Sequence, residues 1–188
     1  MSQNKIFIVR HGESENNLQG IDCSKIEHKD KFGLTETGQR QTESEAKNFD
    51  DFDLIITSPH RRSVETASIF ARYSHCEVIE NELISEVNYG DLDLCPYEES
   101  DAWFKDRGRD ESNPFPNGES LMDVKERTAK FLKWLNQIYS DKKILLVTHG
   151  HIVLFLQELL DENFDRQKAI DIYDDDESRK VIEANCLS

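Results

Sequence analysis

Cysteine is sparse in this sequence: Cys23, Cys76, Cys95 and Cys186 lie far apart, and no Cys-x-x-Cys pair occurs. A secreted domain built on disulfides would carry a denser, patterned set, so reduced thiols are expected. Long apolar runs are also missing. Nothing approaches the length of a membrane span. Near the start, Ile6–Val9 is far too short for the apolar core of a signal peptide. A cytoplasmic protein is the expectation. Positive charge is scarce as well: 23 Lys and Arg against 38 Asp and Glu give a formal charge of −15. Long-range repulsion then works against nucleic acid and anionic membranes as partners. No internal repeat or low-complexity linker divides the 188 residues, which suit a single domain with its own core. The acidic run Asp174–Glu177 reads as a solvated turn.

What is present repeats one pattern. Three apolar runs end directly in Arg, His or Ser beside Gly or Pro: Lys5–Val9 into Arg10-His11-Gly12-Glu13, Asp53–Thr57 into Ser58-Pro59-His60-Arg61-Arg62, and Lys143–Val147 into Thr148-His149-Gly150. Short β-branched and aliphatic runs bounded by turn formers read as buried strands of a parallel sheet. A further short strand is expected at Glu77–Glu80. Helices are expected from Thr35 to about Phe49 and from Ser58-Pro59 to about Tyr73, with Ser58 as N-cap and Pro59 in the first helical position. Val64, Ala67, Phe70 and Ala71 would form the inward face of the second. Ser120-x-x-Asp123 resembles a capping box, after which Leu121, Val124, Thr128, Phe131, Leu132 and Leu135 keep helical spacing. Ile152–Leu160 is too apolar for a surface helix. Strands alternating with helices imply an α/β fold: a doubly wound, mostly parallel sheet with helices on both faces. Asp91–Gly118 loses periodicity and reads as a lid-like insertion, with a short helix around Tyr97–Lys105. Ala169–Tyr173 and Lys180–Ala184 would pair as a terminal hairpin.

In parallel sheets, ligand sites form beyond the carboxyl ends of the strands. The three motifs would therefore bring two histidines and at least two arginines into one crevice. Cations so close repel one another unless an anion joins them, and phosphate is the anion expected.

With those residues in order, the chain resembles the histidine phosphatase superfamily, which includes cofactor-dependent phosphoglycerate mutases. The likeness rests on Arg10-His11-Gly12-Glu13-Ser14 with Asn17, on Leu34–Gln41, on Ser58–Ala67, on Leu83–Asp91, on Pro116–Ser120 and on Val147–Gly150. It implies a phosphoglycerate mutase-like fold and a metal-independent phosphomonoesterase acting on a small phosphorylated metabolite, with no cofactor. His11 would attack phosphorus and carry a phosphohistidine. Arg10 and Arg62 would clamp the phosphate with guanidinium forks. His149, once protonated, and Asn17 would add donors. Gly12 and Gly150 would let the backbone approach the phosphate. Glu86 would be general acid and then base, its pKa raised by burial and by the phosphate. Ser58 has two readings, phosphate contact or helix N-cap. Glu13 would orient its neighbours rather than react.

Other readings stay beside these. A mutase that returns the phosphoryl group, a protein phosphohistidine or phosphotyrosine phosphatase, and a non-catalytic phosphate-binding regulator all fit parts of the pattern. The compact length favours hydrolysis over the mutase, and the intact set of nucleophile, arginines and acid disfavours the regulator. No metal site is expected, although His149-x-His151 has two imidazoles suited to zinc. His60 and Arg61 are expected at the rim or in solvent. Trp103 and Phe104 are expected as packing for the insertion, Lys105, Arg107 and Arg109 as a solvated face, and Thr35–Gln41 as a helix start. Leu92 and Leu94 depart from the family's pattern after the acid-bearing block, and the chain looks short after Asn185-Cys186.

Overall fold

The computed structural model describes residues 4–107, 110–161, 163–165 and 181–184. Strands β1 (Lys5–Arg10), β2 (Leu54–Thr57), β3 (Glu77–Glu80), β4 (Lys143–Thr148) and β5 (Ile182–Ala184) form one sheet in the order β3-β2-β4-β1-β5. The first four run parallel, and β5 pairs antiparallel with β1. Within the chain order lie helices α1 (Glu15–Gln19), α2 (Glu36–Ala46), α3 (Arg61–Ser74), α4 (Tyr97–Arg107), α5 (Leu121–Ile138) and α6 (Gly150–Leu160).

Alternation along the strands explains why helices cover both faces. Side chains in a strand point to opposite faces in turn. Ile6, Ile8, Leu54, Ile56, Ile144 and Leu146 join one buried cluster, with Leu121, Val124, Phe131 and Leu135 of α5 and Ile152, Val153 and Phe155 of α6. Phe7, Val9, Ile55, Leu145 and Val147 join the other, with Ala46 of α2 and Ala67, Ile69 and Phe70 of α3. Each large aliphatic or aromatic side chain so buried contributes about 1.5–3 kcal/mol. The expected doubly wound α/β fold is what forms.

Local signals were read with mixed success. The capping box before α5 is present: the Asp123 amide donates to Ser120 Oγ at 3.1 Å, and the Ser120 amide to Asp123 Oδ2 at 2.9 Å. Thr35 caps α2, accepting from the Gly38 amide at 2.9 Å, and the helix ends at Ala46 rather than near Phe49. The start of α3 differs from expectation. His60, not Ser58, is its N-cap residue, and the helix begins at Arg61. Ser58-Pro59 instead belongs to the bend leaving β2, because the Ser58 hydroxyl is engaged elsewhere. Near the C-terminus Ile182–Ala184 is a strand, and it pairs with Ile8–Ile6 of β1. Ala169–Tyr173 lies outside the described residues.

The consequence for function is the adjacency of β2, β4 and β1. Arg10 pairs with Thr148, and Thr57 with Val147, so the three motif-bearing strand ends stand side by side. Two glycines let α2 close against this edge. A Cβ on Gly38 would lie 2.1 Å from the Glu13 carbonyl oxygen, and one on Gly12 would meet Thr42 Oγ1 at 2.6 Å and the Gly38 carbonyl oxygen at 2.9 Å. Gly12 is therefore required by packing on α2, and its amide donates to Thr66 Oγ1 at 3.0 Å.

Candidate active site

A cavity of about 550 Å³ opens beyond these strand ends. Arg10 and His11 enter it from β1, Arg62 from α3, Gly150 and His151 from the start of α6, and Glu86 from the segment after β3. α4 supplies a wall through Tyr97, Ser100, Asp101 and Phe104, so part of Asp91–Gly118 borders the cavity.

The hydrogen bonds at its floor fix every proton. A carbonyl only accepts and a guanidinium only donates. His11 Nδ1 lies 2.8 Å from the Gly12 carbonyl oxygen, so Nδ1 carries the hydrogen. The lone pair is left on His11 Nε2, which accepts from Arg62 Nε at 3.1 Å. Arg62 Nη2 donates to the Cys23 carbonyl at 2.8 Å and to His149 Nδ1 at 3.1 Å. His149 therefore holds its proton on Nε2 and donates to Ser58 Oγ at 2.8 Å. Ser58 in turn donates to His60 Nδ1 at 3.1 Å, and His60 Nε2 donates to the Ser24 carbonyl at 3.0 Å. One directional chain thus runs from Arg62 through two histidines and a serine to Ser24.

Burial governs the charges along it. His149 is 1 % exposed; its own burial, then Arg62 and the neighbouring His60 and His11, hold its pKa well below that of free imidazole. His60 is wholly buried, and burial followed by Arg62 lowers it to about 4. Both rings are held toward the neutral form, so His149 must gain a proton before it can act as the cationic donor of the sequence reading. His60 is no rim residue either; it sits behind His149, while Arg61 is exposed and pairs with Glu65 at 2.7 Å. No sequence signal marked His60 apart from its place in the Ser58–Arg62 motif.

Two donors remain for a ligand. Arg10 Nε and Arg62 Nη1 are buried and have no hydrogen-bond partner among the described residues. Burial also pulls the Arg62 pKa down, outweighing the opposing influence of Cys23 and Glu86. An oxyanion would satisfy both groups, which is what the motif pattern anticipated.

Glu86 behaves differently from expectation. Burial does push its carboxyl up, but the His151 side chain, the Val87 amide at 2.9 Å and the charge of Arg10 outweigh it and hold the pKa at about 2. His151 Nδ1 lies 3.5 Å from Glu86 Oε1. With these partners the acid is held in its ionised form. Asp22, which the sequence did not single out, has the opposite bias: burial first, with added repulsion from Glu86, raises it to about 6 against the pull of Ser100 and His151.

The remaining candidates are accounted for. Asn17 lines the cavity, its amide donating to Tyr97 Oη at 2.9 Å while its Oδ1 accepts from Ser14. Around Gly150 the nearest atom to an added Cβ is Glu86 Oε2 at 4.0 Å, so this glycine does face open cavity. Glu13 Oε1 accepts from the Thr35 hydroxyl at 2.6 Å, tying the β1 exit to α2. Trp103 stacks on Phe115 at 4.0 Å as packing, whereas Phe104 both lines the cavity and stacks on His151 at 5.6 Å. Lys105 is exposed; the Arg107 side chain and Arg109 lie outside the described residues. Among the described residues, no group of three or more His, Cys, Asp or Glu side chains is placed to hold a metal ion, and no helix is long and apolar enough to cross a membrane.

Comparison with known proteins places this geometry. The family model described as histidine phosphatase superfamily (branch 1) matches residues 6–184. The chain is 36% identical over 147 residues to the "uncharacterized phosphatase PhoE" of Bacillus subtilis strain 168, a match covering 77% of this chain and 71% of that protein. It is 30% identical over 153 residues to the "probable phosphoglycerate mutase GpmB" of Yersinia enterocolitica, covering 78% and 69%. Among solved structures, a mycobacterial glucosyl-3-phosphoglycerate phosphatase superposes with a TM-score of 0.72 at 19% identity, over 97% of this chain and 99% of that one. The phosphoserine phosphatase of Entamoeba histolytica, solved with 3-phosphoglyceric acid, superposes with a TM-score of 0.69 at 27% identity, over 82% and 78%.

Proposed function

We propose that this chain, which belongs to the histidine phosphatase superfamily, is a cytoplasmic, metal-independent phosphomonoesterase for a small phosphorylated metabolite. The observation that carries the reading is the floor of the cavity. His11 Nε2 keeps its lone pair there, between Arg62 Nε and the unpartnered donors Arg62 Nη1 and Arg10 Nε.

Phosphoryl transfer asks a protein mainly for position and for charge to meet the equatorial oxygens. In the first step Arg62 Nε turns from His11 Nε2 to a phosphoryl oxygen, and the freed Nε2 lone pair forms the N–P bond while the P–O bond to the alcohol breaks. Arg10 and Arg62 hold the phosphoryl oxygens, and the Gly12 carbonyl steadies the positive charge that spreads to Nδ1–H. The leaving alkoxide takes its proton from Glu86. A dianionic ester seated on Arg10 neutralises one of the charges that keep Glu86 ionised and adds negative charge of its own, so the carboxyl pKa climbs in the complex. In the second step water attacks phosphorus, Glu86 takes its proton, and the N–P bond breaks to return His11. The same arriving charge favours protonation of His149, which would then give up the hydrogen bond its Nδ1 accepts from Arg62 and donate toward the phosphoryl oxygens.

A mutase would run the first step alike and return the phosphoryl group to a second hydroxyl. Relatives with both descriptions exist, so the reactions must be separated by assay. Phosphate release from a panel of phosphorylated metabolites is measured in excess chelator, with 3-phosphoglycerate isomerisation followed in parallel. Release by the wild type, lost in His11→Ala together with covalent trapping of phosphate, supports the phosphatase. Isomerisation without release makes it a mutase. Near-wild-type turnover in His11→Ala removes His11 from the nucleophile's place.

A further inference from the structure

Asp22 stands in the cavity wall, and nothing in the phosphate chemistry above uses it. It is 7 % exposed, and its Oδ2 is buried without a hydrogen-bond partner among the described residues. An unpaired buried acceptor of this kind is costly unless something donates to it. The backbone holds it firmly in place. The Asp22 amide donates to the Cys95 carbonyl at 3.0 Å, and the Leu94 amide donates back to the Asp22 carbonyl at 2.9 Å. Leu94 sits at a φ of 66° to make that return bond, a conformation that costs a leucine about 1–2 kcal/mol. Strain retained at such a point shows that the surrounding structure dictates the position.

The neighbours of Asp22 are unlike those of His11. It faces Glu86 and His151, with Asp101 of α4 beside it, and its carboxyl has a side-chain hydrogen bond with Ser100 that leaves Oδ2 as the unpartnered oxygen. All four also line the cavity. The phosphate floor is cationic; this wall is acidic and carries acceptors. A phosphate ester held on Arg10 and Arg62 directs its alcohol away from the arginines, toward Glu86, the group that must reach the leaving oxygen. Asp22 lies in the electrostatic neighbourhood of Glu86, on that alcohol side.

Resting on the phosphatase reading, we propose that Asp22 is a specificity-determining residue whose Oδ2 accepts from a donor on the alcohol part of the substrate, and that the substrate class is a phosphomonoester bearing an ammonium or hydroxyl group near the ester. An ammonium satisfies the orphaned oxygen and neutralises the repulsion among Asp22, Asp101 and Glu86. A carboxylate at the same place meets that repulsion in full. The raised pKa of Asp22 has the same origin, since burial and Glu86 disfavour its charge until a cation arrives. By this reasoning hydroxy-acid phosphates are poor substrates and amino-alcohol or polyol phosphates good ones.

The test uses matched small esters, with p-nitrophenyl phosphate in excess chelator as the reference. Phosphoethanolamine and phosphoglycolate are near in size and differ in ending in an ammonium or a carboxylate; ethyl phosphate has neither. Wild-type kcat/KM should be at least tenfold higher for phosphoethanolamine than for phosphoglycolate, with ethyl phosphate between them. Asp22→Asn should shrink that ratio tenfold or more, since the amide keeps the shape and loses the charge. A wild-type preference for phosphoglycolate, or a ratio unchanged within twofold in Asp22→Asn, overturns the assignment. The wild-type order stands as a test even where the variant folds poorly. Absence of p-nitrophenyl phosphate hydrolysis in the wild type defeats the phosphatase reading itself, which keeps the two failures apart.

Discussion

Replacing His60 with leucine gives a test of the buried relay in which pH sets the size of the outcome. His60 is held at about 4 in the folded protein against 6.5 for the free side chain, burial being the main cause. Between those values the unfolded chain binds the proton and the folded chain does not, so stability is lost as pH falls. At pH 4.5 the difference amounts to about 2–3 kcal/mol, at 1.36 kcal/mol per unit of pKa. The substitution removes this term. It also deprives the Ser24 carbonyl of its donor and the Ser58 hydroxyl of its acceptor, at about 1–3 kcal/mol. Leucine is close to histidine in volume, so little is added for packing. His60→Leu should therefore be clearly less stable than wild type at pH 7, and the gap should close by pH 4.5. For a chain of this size, about 2–4 °C in Tm corresponds to each kcal/mol. The gap in thermal unfolding should thus narrow by roughly 4–12 °C across that range. His149, lowered in the same direction, and Asp22, raised in the opposite one, are present in both proteins and largely cancel in the comparison. A gap that stays constant between pH 7 and pH 4.5 would refute the neutral, buried His60 and the proton order built on it.

Glu86→Gln should lower kcat/KM on alkyl phosphates by about 10²-fold or more, in the range general acids contribute, and far less on an activated aryl phosphate whose leaving group needs little protonation. Equal losses on both would remove Glu86 from the acid's place. Gly38→Ala gains about 1 kcal/mol of helix propensity in α2, yet its Cβ would sit 2.1 Å from the Glu13 carbonyl oxygen, backbone that cannot rotate away. The clash, at about 1–3 kcal/mol or more, should win and lower Tm, with slower turnover because Glu13 follows His11 and Gly12; a raised Tm would show that α2 does not press on this edge.

The parts legible in the sequence were those with a local cause. Alternating Ile6, Phe7, Ile8 and Val9 announce a strand buried on both faces, and Ser120 with Asp123 announces a helix start whatever surrounds it. His11, Arg62 and His149 were readable because three strand ends carried them into one crevice. Features that depend on long-range partners were not. Ser58 looks like an N-cap beside Pro59, but His149, 91 positions away, takes its hydroxyl into a different hydrogen bond. Gly12 gives no sign in the sequence that α2 presses against it and leaves no room for a Cβ. His60 looks like a solvated neighbour of two arginines until Ser24 is found to accept its proton. Glu86 has the sequence context of an acid, yet its ionised resting state depends on His151 and Arg10. Asp22 has no motif at all; its importance comes from the closed surroundings of one oxygen.

Ser24 joins parts of the protein that meet different demands. Its carbonyl ends the histidine relay, its hydroxyl accepts from the Tyr89 amide at 3.0 Å and donates to Asp93 Oδ1 at 3.0 Å, and it lies two residues from Asp22. The cavity wall at Asp22 and the acceptor that ends the histidine relay therefore share one short stretch of backbone. A substitution that moves this stretch would shift the relay's last hydrogen bond together with the wall.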